Sequence, residues 1–579
     1  MRTFRTLRAL TGGLALTLVG ACASLPSDGP VTVVEGADPS ASAAPFDFNP
    51  PGPRPGATPE QIASGFLSAL QATPVTTRVA AQYLTEDAAE SWRPSRRTVV
   101  YTSQDLVTGV GAVTVDLSGA YELDEMGRWQ GAASGDGEVE LRLPVVKEDG
   151  EWRISEAPDA MVVPQPHFEA RYQQFSLYFL DSTEQVLIPE PVYLPWGVQA
   201  PTLLVSGLLD GPAAPGVERT SLPPDAFAGV GVPVSEDGVA QVPLGPEVLD
   251  LAADQLEPAL AQLAWTLRQV PEIDRLQITV DGVPIELPGG DASVDVDAYA
   301  AYSPVVATAV SDLFGVRDGE VVQVVGSTEI TAAELPETSA TVASLGVSLT
   351  GRRIAVVDPT GTTMSVLDRD AEEPQLRVAL TGSDLLRPMW DLAGALWSVD
   401  RRGDAAQIVV SREERTRVLQ VPGNDAVVVA TLSRDGSRLA WVGERTGGQQ
   451  RLWVSRVVRR TNGMPVRLTS PVEVATGAPW RGVRDLVWRD PTTVAALTRP
   501  TRGTSQVQLV AVDGSSEFGA LRSAPGLLFD RGVSMAASPG APMALVVASR
   551  GGRVHSLNAQ GRWELDVVEP GLRRPAYVG

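Results

Sequence analysis

Cysteine and histidine, the side chains most often used for nucleophilic catalysis and for binding transition metals, are scarce in this chain of 579 residues. It has one cysteine, Cys22, and two histidines, His167 and His555, which are separated by most of its length. Metal sites and serine–histidine–aspartate triads need histidine near further ligands or a nucleophile, and neither histidine lies in such a motif. We find no G-x-S-x-G, P-loop, H-E-x-x-H or C-x-x-C pattern. The sequence predicts no catalytic residue, no cofactor and no metal site, and we interpret both histidines as ordinary surface or strand residues.

The residues around Cys22 give its thiol a specific role. Three arginines, a twelve-residue apolar run (Ala9–Gly20) and small residues before the cysteine form the layout of a secretory signal peptide. The run makes a helix of about 18 Å, which is shorter than the ~30 Å hydrocarbon core of a bilayer. "VGAC" (Val19–Cys22) matches the lipobox of bacterial lipoproteins. We therefore predict a signal peptide over residues 1–21, cleavage between Ala21 and Cys22, and S-diacylglycerol and N-acyl (palmitate) groups on Cys22.

An ordinary signal peptide with a cysteine near its cut is the alternative to a lipobox. Two acyl chains bury about 30 methylenes at about 0.8 kcal/mol each, so lipidation would make the anchoring effectively permanent. The mature chain has no second cysteine with which to form a disulfide. Its stability must come from ordinary cores, for which 43% hydrophobic residues suffice.

The net charge excludes several kinds of partner. The formal charge is −23, and removal of the three signal arginines makes it −26. Like charge repels nucleic acid and anionic lipid headgroups, so we expect no nucleic-acid partner. Apart from the signal, no apolar run approaches the ~20 residues of a membrane span.

Composition divides the chain after the signal into a tether and folded parts. Residues 22–57 are rich in Pro, Gly, Ala and Ser and are interpreted as a flexible, lipid-anchored tether. Order is predicted to begin at Thr58, which forms a capping box with Gln61 and is followed by Pro59 at the first helical position. A second helical stretch near Val79–Trp92 follows, and then several alternating segments, among them Val113–Leu123. "EDGEW" (Glu148–Trp152) contains an Asp-Gly turn between two predicted strands. Together these segments predict an N-terminal α+β domain over residues 58–166.

The middle of the chain repeats the mixture of helix and strand. "FSLYFLD" (Phe175–Asp181) and "DGVAQVPL" (Asp237–Leu244) are predicted strands. "DQLEPALAQLAWTLRQ" (Asp254–Gln269) is the clearest helix, because its leucines recur every three to four residues. We predict a second α+β domain over residues 170–300.

A loose repeat replaces helical periodicity beyond about Tyr302. Each unit has a polar turn and then a strand that is apolar on both faces, as inner strands of propeller blades are. The units recur about every 40–50 residues, the length of a four-stranded blade. They lie at Ser344–Asp358, Pro388–Asp400, Thr431–Glu444, Asp485–Thr498 and Ser534–Ser549. We predict a β-propeller over residues 301–579 with about five or six blades, a sixth closing from strands near Val321–Ile330; a β-sandwich is the alternative.

Two further features of the sequence are candidate binding sites. The acidic stretch Asp291–Tyr299 could bind a cation, but it lacks the glycine and distal glutamate of a calcium loop and is interpreted as a solvated turn. Five tryptophans of the repeats could be glycan platforms, but at blade-strand positions they are interpreted as packing residues. They are Trp390, Trp397, Trp441, Trp453 and Trp488. Paired carboxylates of the glycosidase kind leave no mark in one sequence, so that chemistry stays open.

The order of these parts resembles the LpqB family of actinobacterial lipoproteins over essentially the whole mature chain. The stretches that carry the resemblance are Gly65–Pro74, Ala80–Pro94 and Leu260–Gln269, together with "LYFLD", "PVYLP", "LLDGP" and "VDGVPI". The middle domain is similar to a GerMN domain. The resemblance implies a protein that is lipid-anchored at the extracytoplasmic face of the cell membrane, and because catalytic motifs are absent from the sequence we expect it not to be an enzyme. The resemblance also implies binding to the extracellular part of a two-component sensor kinase (MtrB-like) and an influence on its signalling in cell-envelope homeostasis and division.

Two other function classes stay open from the sequence. One is a peptidoglycan- or glycan-binding receptor, or a wall-directed hydrolase, that uses the GerMN-like domain or the propeller. The other is an envelope assembly factor whose partner is another lipoprotein. Cys22 is the only candidate position to which the family resemblance assigns a functional role.

Overall fold

The computed structural model describes the chain from Phe48 to Gly579. Residues 225, 230, 306–309, 327, 335–341, 404, 414, 475–479, 481, 516–524, 541–543, 559 and 566–567 are excepted. Two α+β regions are followed by an all-β propeller, which confirms the predicted fold class.

The last residues of the predicted tether belong to the N-terminal region, because the Phe48 and Thr73 backbones exchange hydrogen bonds and the Tyr83 hydroxyl donates to the Pro51 carbonyl. The first helix of the region has the predicted cap. Thr58 Oγ1 accepts a hydrogen bond from the Gln61 amide, and Gln61 Oε1 accepts one from the Thr58 amide. Ile62 and Phe66 are buried on one face of this helix in the core of the region. The helices are α1 (Pro59–Ala69), α2 (Arg78–Ala81), α3 (Glu86–Ser91) and α4 (Gln165–Arg171), with short 3-10 turns at Pro94–Arg96 and Ala133–Gly135.

Eight strands of this region form two four-stranded sheets. They are β1 (Arg97–Tyr101), β2 (Ser103–Thr108), β3 (Ala112–Ser118), β4 (Tyr121–Asp124), β5 (Trp129–Ala132), β6 (Val139–Glu148), β7 (Glu151–Ile154) and β8 (Met161–Pro164). The strand orders are β5-β4-β1-β8 and β2-β3-β6-β7. Asp149 and Gly150 have positive φ and form the predicted turn between β6 and β7.

Two further details of the sequence prediction for this region are wrong. The helical stretch near Val79–Trp92 is two helices, because Leu84 bridges to Ile154 and Thr85 caps α3 by accepting from the Ala88 amide. The segment Val113–Leu123 contributes to both sheets, because the chain turns between β3 and β4. Local periodicity does not reveal such long-range pairing.

The middle region packs two helices on a long hairpin and a smaller sheet. β9 (Tyr172–Leu180) and β10 (Leu187–Pro195) form the hairpin. The other elements are α5 (Ala200–Asp210), β11 (Val239–Pro243), a 3-10 turn at Pro246–Asp250, α6 (Ala253–Leu267), β12 (Arg275–Val280), β13 (Val283–Pro284), β14 (Val294–Asp295) and a 3-10 turn at Ala300–Tyr302. In the smaller sheet β12 pairs with β11 in parallel and with β13 and β14 antiparallel.

Polar residues of α6 cover the free edge of β9. Gln262 Nε2 donates to the Tyr178 carbonyl at 3.0 Å, and Thr266 Oγ1 accepts from the Tyr178 amide at 3.2 Å. Gln269, just beyond the end of α6, accepts from the Ser176 amide and donates to its carbonyl. The leucines of α6 face the core of the region at the same time. This helix therefore protects an edge strand that would otherwise be a template for further strand pairing.

The C-terminal region contains six sheets among the described residues. The first blade comprises β15 (Leu313–Arg317), β16 (Glu320–Val325) and β17 (Thr328–Glu334), and the second β18 (Ser344–Val347), β19 (Arg353–Val357), β20 (Thr363–Asp368) and β21 (Arg377–Thr381). The third comprises β22 (Met389–Trp390), β23 (Leu396–Arg402), β24 (Ala405–Arg412) and β25 (Arg415–Gln420), and the fourth β26 (Ala426–Leu432), β27 (Arg438–Glu444), β28 (Gln450–Arg459), β29 (Pro465–Leu468) and β30 (Val472–Glu473). The fifth comprises β31 (Asp485–Asp490), β32 (Thr493–Thr498) and β33 (Gln506–Ala511), and the sixth β34 (Gly532–Ala537), β35 (Leu545–Ser549), β36 (Val554–Leu557) and β37 (Trp563–Leu565).

The last strand of the chain closes this ring. β38 (Arg573–Ala576) pairs with β15 and is the innermost strand of the first blade, which also contains the predicted strands near Val321–Ile330. The innermost strands β38, β18, β22, β26, β31 and β34 contact one another in cyclic order. Each repeat unit seen in the sequence is the innermost strand of a blade, its turn and the second strand. Because the second strands are covered on both faces by neighbouring blades, they are apolar on both faces.

Candidate functional site

Cys22, the predicted lipidation site, and Ala21, which precedes the predicted cleavage, lie outside the described residues. The two histidines do not come together. His167 lies in α4, where burial and then the charge of Arg171 lower its pKa to about 4. His555 lies in β36 with Nε2 3.0 Å from Asp530 Oδ2. Within the described part of the chain, no three His, Cys, Asp or Glu side chains are grouped for a metal ion, the stretch Asp291–Tyr299 included.

Four of the five tryptophans weighed as glycan platforms are buried packing residues, as predicted. Trp390, Trp397, Trp441 and Trp488 have at most 3% of their surface exposed. Only Trp453 is half-buried, and its indole N–H donates to Asp425 Oδ2 at 3.3 Å. The buried four cannot stack on a glycan without unfolding of their blades.

Replacement of Trp397 by alanine should therefore cost stability. Trp397 is 0% exposed, and its indole N–H donates to the buried carboxylate of Asp391 at 2.9 Å. We expect Trp397→Ala to lower the free energy of unfolding by about 4 kcal/mol, because it leaves a large cavity and removes one hydrogen bond to Asp391, whose Oδ2 keeps only Arg459 as a partner among the described residues. Trp453→Ala is the matched control, since it removes the same kind of hydrogen bond at a half-buried position, and should cost about 1–2 kcal/mol. Urea denaturation measures both; equal losses would contradict the packing role of Trp397.

A buried cluster of charged side chains joins the three parts of the protein. Glu190 of β10 and Glu218, which follows α5, belong to the middle region, and their side chains are 3% and 1% exposed. Arg456 of β28 in the propeller has Nη1 2.5 Å from Glu190 Oε1 and also contacts Glu218. Arg438 of β27 has Nη2 3.9 Å from Glu218 Oε1, and Arg128 of the N-terminal region has Nε 3.8 Å from Glu190 Oε2. We call these five residues the interdomain ion cluster.

Hydrogen bonds around the cluster strengthen the same junction. Arg438 Nη2 donates to the Pro189 carbonyl at 2.9 Å, and the hydroxyls of Tyr193 and Ser515 are 2.6 Å apart. The Tyr193 amide donates to the Gly127 carbonyl at 2.8 Å. Gly127 has φ +77°, and a Cβ there would lie 2.5 Å from the Tyr193 oxygen. Only glycine permits this close approach of the N-terminal and middle regions.

The two glutamates of the cluster have opposite pKa shifts. Burial and then the charge of Glu190 raise the pKa of Glu218 to about 8, and the attraction of Arg456 offsets this only in part. Burial also acts to raise the pKa of Glu190, but Arg456 and the hydrogen bond with Glu218 outweigh it and lower the pKa to about 2. At neutral pH the pair therefore holds one proton and one negative charge, with the proton favoured on Glu218.

The raised pKa of Glu218 predicts that stability falls as the pH rises. Between about pH 4.5 and pH 8 the folded state holds a proton on Glu218 that the unfolded state has lost, so unfolding becomes easier with rising pH. We expect the thermal midpoint at pH 8.5 to lie below that at pH 6. Glu218→Gln, which keeps the uncharged form at every pH, should reduce this difference. A wild-type midpoint that is equal or higher at pH 8.5, or an unchanged difference in Glu218→Gln, would contradict the assignment.

Arg434 closes the propeller axis at the end where the innermost strands finish. Its guanidinium donates to the carbonyls of Val578, Trp488 and Ala537, which lie in three different blades or their flanking segments. Burial lowers the pKa of Arg434 to about 10, against the attraction of Asp490. The Arg434 side chain therefore fills this end of the axis and is held there by hydrogen bonds to backbone carbonyls.

The opposite end of the axis is open and basic. A cavity of about 120 Å³ lies where the innermost strands begin, and Arg387, Arg484 and Arg574 line it. Arg499, Arg531 and Arg550 lie at the same end, because they follow β32, precede β34 and follow β35. We call these six arginines the basic mouth. It contrasts with the net charge of −23 of the whole chain.

Neither the interdomain ion cluster nor the basic mouth is predicted from the sequence. One signal for the cluster existed: Glu190 is the only charged residue in the apolar strand Leu187–Pro195, where a charge needs a buried partner. The basic mouth had no comparable signal, since its arginines are scattered over about 190 residues and only ring closure brings them together.

Comparisons with known protein families account for most of the described chain. Residues 52–169 match the family described as "Lipoprotein LpqB, N-terminal domain", and residues 316–577 match "Lipoprotein LpqB beta-propeller domain". Residues 176–286 between them match "Sporulation and spore germination".

Whole-length relatives carry the name "Lipoprotein LpqB". The protein of Thermobifida fusca is 28% identical over 92% of this chain and 93% of its own length. The proteins of Streptomyces avermitilis (28% identity, 98% and 97% coverage) and Cutibacterium acnes (24%, 88% and 89%) are similar too. Among solved structures, TolB from Acinetobacter baumannii has 13% identity and a TM-score of 0.34 over 57% of this chain and 86% of its own.

Proposed function

We propose a function from the premise that the chain belongs to the LpqB family of lipoproteins. Membership makes it a membrane-anchored accessory lipoprotein. Beyond that, we propose that Cys22 carries the lipid on the extracytoplasmic face of the cell membrane. The folded part then binds the extracellular portion of a two-component sensor kinase of the MtrB kind and modulates its signalling in cell-envelope homeostasis and division. No helix in the described residues is long and apolar enough to cross a membrane.

The interdomain ion cluster is the observation that supports this proposal most. Each part of the chain contributes at least one of its five residues, so the N-terminal region, the middle region and the propeller are held at a fixed geometry. Charges buried away from water favour one arrangement, because any other leaves them unpaired. A rigid body of this kind can present separate surfaces to a membrane-embedded partner at constant spacing and can bias its conformation by differential binding. That is the task of an accessory subunit.

In-cell crosslinking of the tagged, full-length protein tests the proposal. Recovery of a sensor-kinase ectodomain among the crosslinked partners is the expected result. Recovery of wall polymer or wall enzymes without any kinase would overturn it and favour the glycan receptor.

Incubation with purified cell-wall sacculi is a second test of the proposed function. If the protein docks on a sensor kinase, we expect neither saturable binding of the protein to sacculi nor release of soluble fragments from them. Binding without release would indicate a receptor, and release would indicate a hydrolase. The burial of four of the five candidate tryptophans weighs against a tryptophan platform for glycans.

A further inference from the structure

The basic mouth combines positive charge with few neutralising partners. Arg387 is ion-paired with Asp485, whose Oδ2 also accepts from the Met535 amide at 2.7 Å. Among the described residues, no carboxylate forms an ion pair with the other five arginines of the mouth. They are Arg484, Arg499, Arg531, Arg550 and Arg574. The mouth therefore keeps a positive charge of about five on an otherwise acidic protein.

Like charges at the mouth are close enough to act on one another. Burial and then the charges of Arg484, Arg531 and Arg550 lower the pKa of Arg499. The Arg550 amide also donates to the Arg531 carbonyl at 2.8 Å, which fixes these two arginines side by side. This repulsion between the arginine charges is unfavourable in the folded protein, and a bound anion would reduce it.

Polar groups inside the cavity lack partners as well. The hydroxyls of Ser534 and Ser344 line the cavity and are buried, and the described protein groups provide no hydrogen bond for either. Ser534 is 4% exposed. A cavity of about 120 Å³ far exceeds the ~15 Å³ that one water requires, so it has room for a carboxylate and its neighbouring methylene. Arginine forks and hydroxyl donors are the groups that bind such an oxyanion.

An apolar rim lies beside the charge. Phe529 is 84% exposed and precedes Arg531 by two residues, and Leu527 is 47% exposed. Val533, which lines the cavity, is 36% exposed. Exposed aromatic residues next to arginines are typical of protein-binding surfaces rather than of sites for a free ion.

We propose that the basic mouth is the docking site for an acidic segment of a partner protein. One carboxylate of the segment enters the cavity and accepts hydrogen bonds from Arg484, Arg574 and Ser534. Apolar neighbours of that carboxylate pack on Phe529 and Val533. The inference rests on the proposed function, because it names the surface by which the sensor kinase would be held. The acidic remainder of the protein repels the same segment and so directs it to this end of the propeller.

Binding of two partners to the full-length, lipid-anchored protein in detergent tests the inference. The first probe is a fluorescent octapeptide of glutamate, with an octapeptide of glutamine for comparison, and the second is the purified kinase ectodomain. Arg484→Glu with Arg574→Glu removes the charge from the cavity. Arg562→Glu is the matched control, since Arg562 is exposed in the turn between β36 and β37, at the opposite end of the blade.

We expect the double variant to bind the glutamate peptide and the kinase at least about tenfold more weakly. The Arg562→Glu protein should bind both as the wild type does. Kinase binding that is unchanged in the double variant would overturn the docking site and leave the proposed function standing. If the wild type binds the peptide through the mouth but never the kinase, the proposed function fails and the acidic-segment site is retained.

Inorganic phosphate distinguishes a free-ion site from a protein-docking site. Millimolar phosphate should displace the glutamate peptide only at concentrations that screen charge generally, as chloride does. Displacement by phosphate far below the concentration of chloride needed would overturn the proposal in favour of a phosphate site. Equal binding of the glutamate and glutamine peptides would overturn it too.

Discussion

Cys22→Ala is expected to abolish incorporation of labelled palmitate and to release most of the protein from the membrane fraction. Acylation needs the thiol, and alanine offers no nucleophile in its place. The two acyl chains of a diacylglyceryl group contribute up to roughly 24 kcal/mol of membrane affinity, whereas the signal run Ala9–Gly20 is too short to span the bilayer. Labelling with palmitate followed by detergent phase separation measures both effects.

Ser24→Ala is the matched control for this change. It alters a small residue of the same segment beyond the lipobox and should leave acylation and membrane retention as in the wild type. Palmitate incorporation that persists in Cys22→Ala would refute lipidation at this residue. Loss of label with full membrane retention would show that another part of the protein anchors it.

Arg456→Ala is expected to lower the free energy of unfolding by about 3 kcal/mol, because it leaves the buried Glu190–Glu218 pair and its negative charge without the nearest cation. Arg438 and Arg128 remain 3.9 Å and 3.8 Å from those carboxylates and limit the loss to the lower end of the usual range for a broken buried pair. We also expect earlier proteolysis between the middle region and the propeller, since the lost contacts join these two regions. Urea denaturation and limited proteolysis measure the two effects.

Arg451→Ala is the control in the same strand. Arg451 pairs with Glu473 at 2.9 Å, but both side chains are about a quarter exposed, so the loss should stay below about 1 kcal/mol. Equal losses in the two variants would mean that burial adds nothing to the interdomain ion cluster. An Arg456→Ala protein that docks on the kinase like the wild type would show that a fixed geometry of the three regions is not required for binding.

Local signals in the sequence were sufficient for much of the fold. The capping box at Thr58, the leucine periodicity of α6 and the Asp149–Gly150 turn all involve residues close together in the chain, and the structure contains each of them. The apolar repeat indicated the blades, because the second strand of each blade is covered on both faces by neighbouring blades. The lipobox at Cys22 is likewise a short contiguous pattern, and its role remains a prediction from sequence.

Only the tertiary structure determined where charged residues are buried. Arg456 and Glu218 are 238 residues apart in the chain, and an isolated arginine in a β-strand pattern usually faces solvent. The strength of the interactions that such an arginine makes depends on the dielectric around it. That dielectric is set by regions of the protein that are distant in the sequence. The basic mouth has the same origin, since ring closure by β38 places arginines of several blades around one axis. The sequence by itself therefore determined the modules and the predicted lipid attachment, while packing between modules determined the two charged sites.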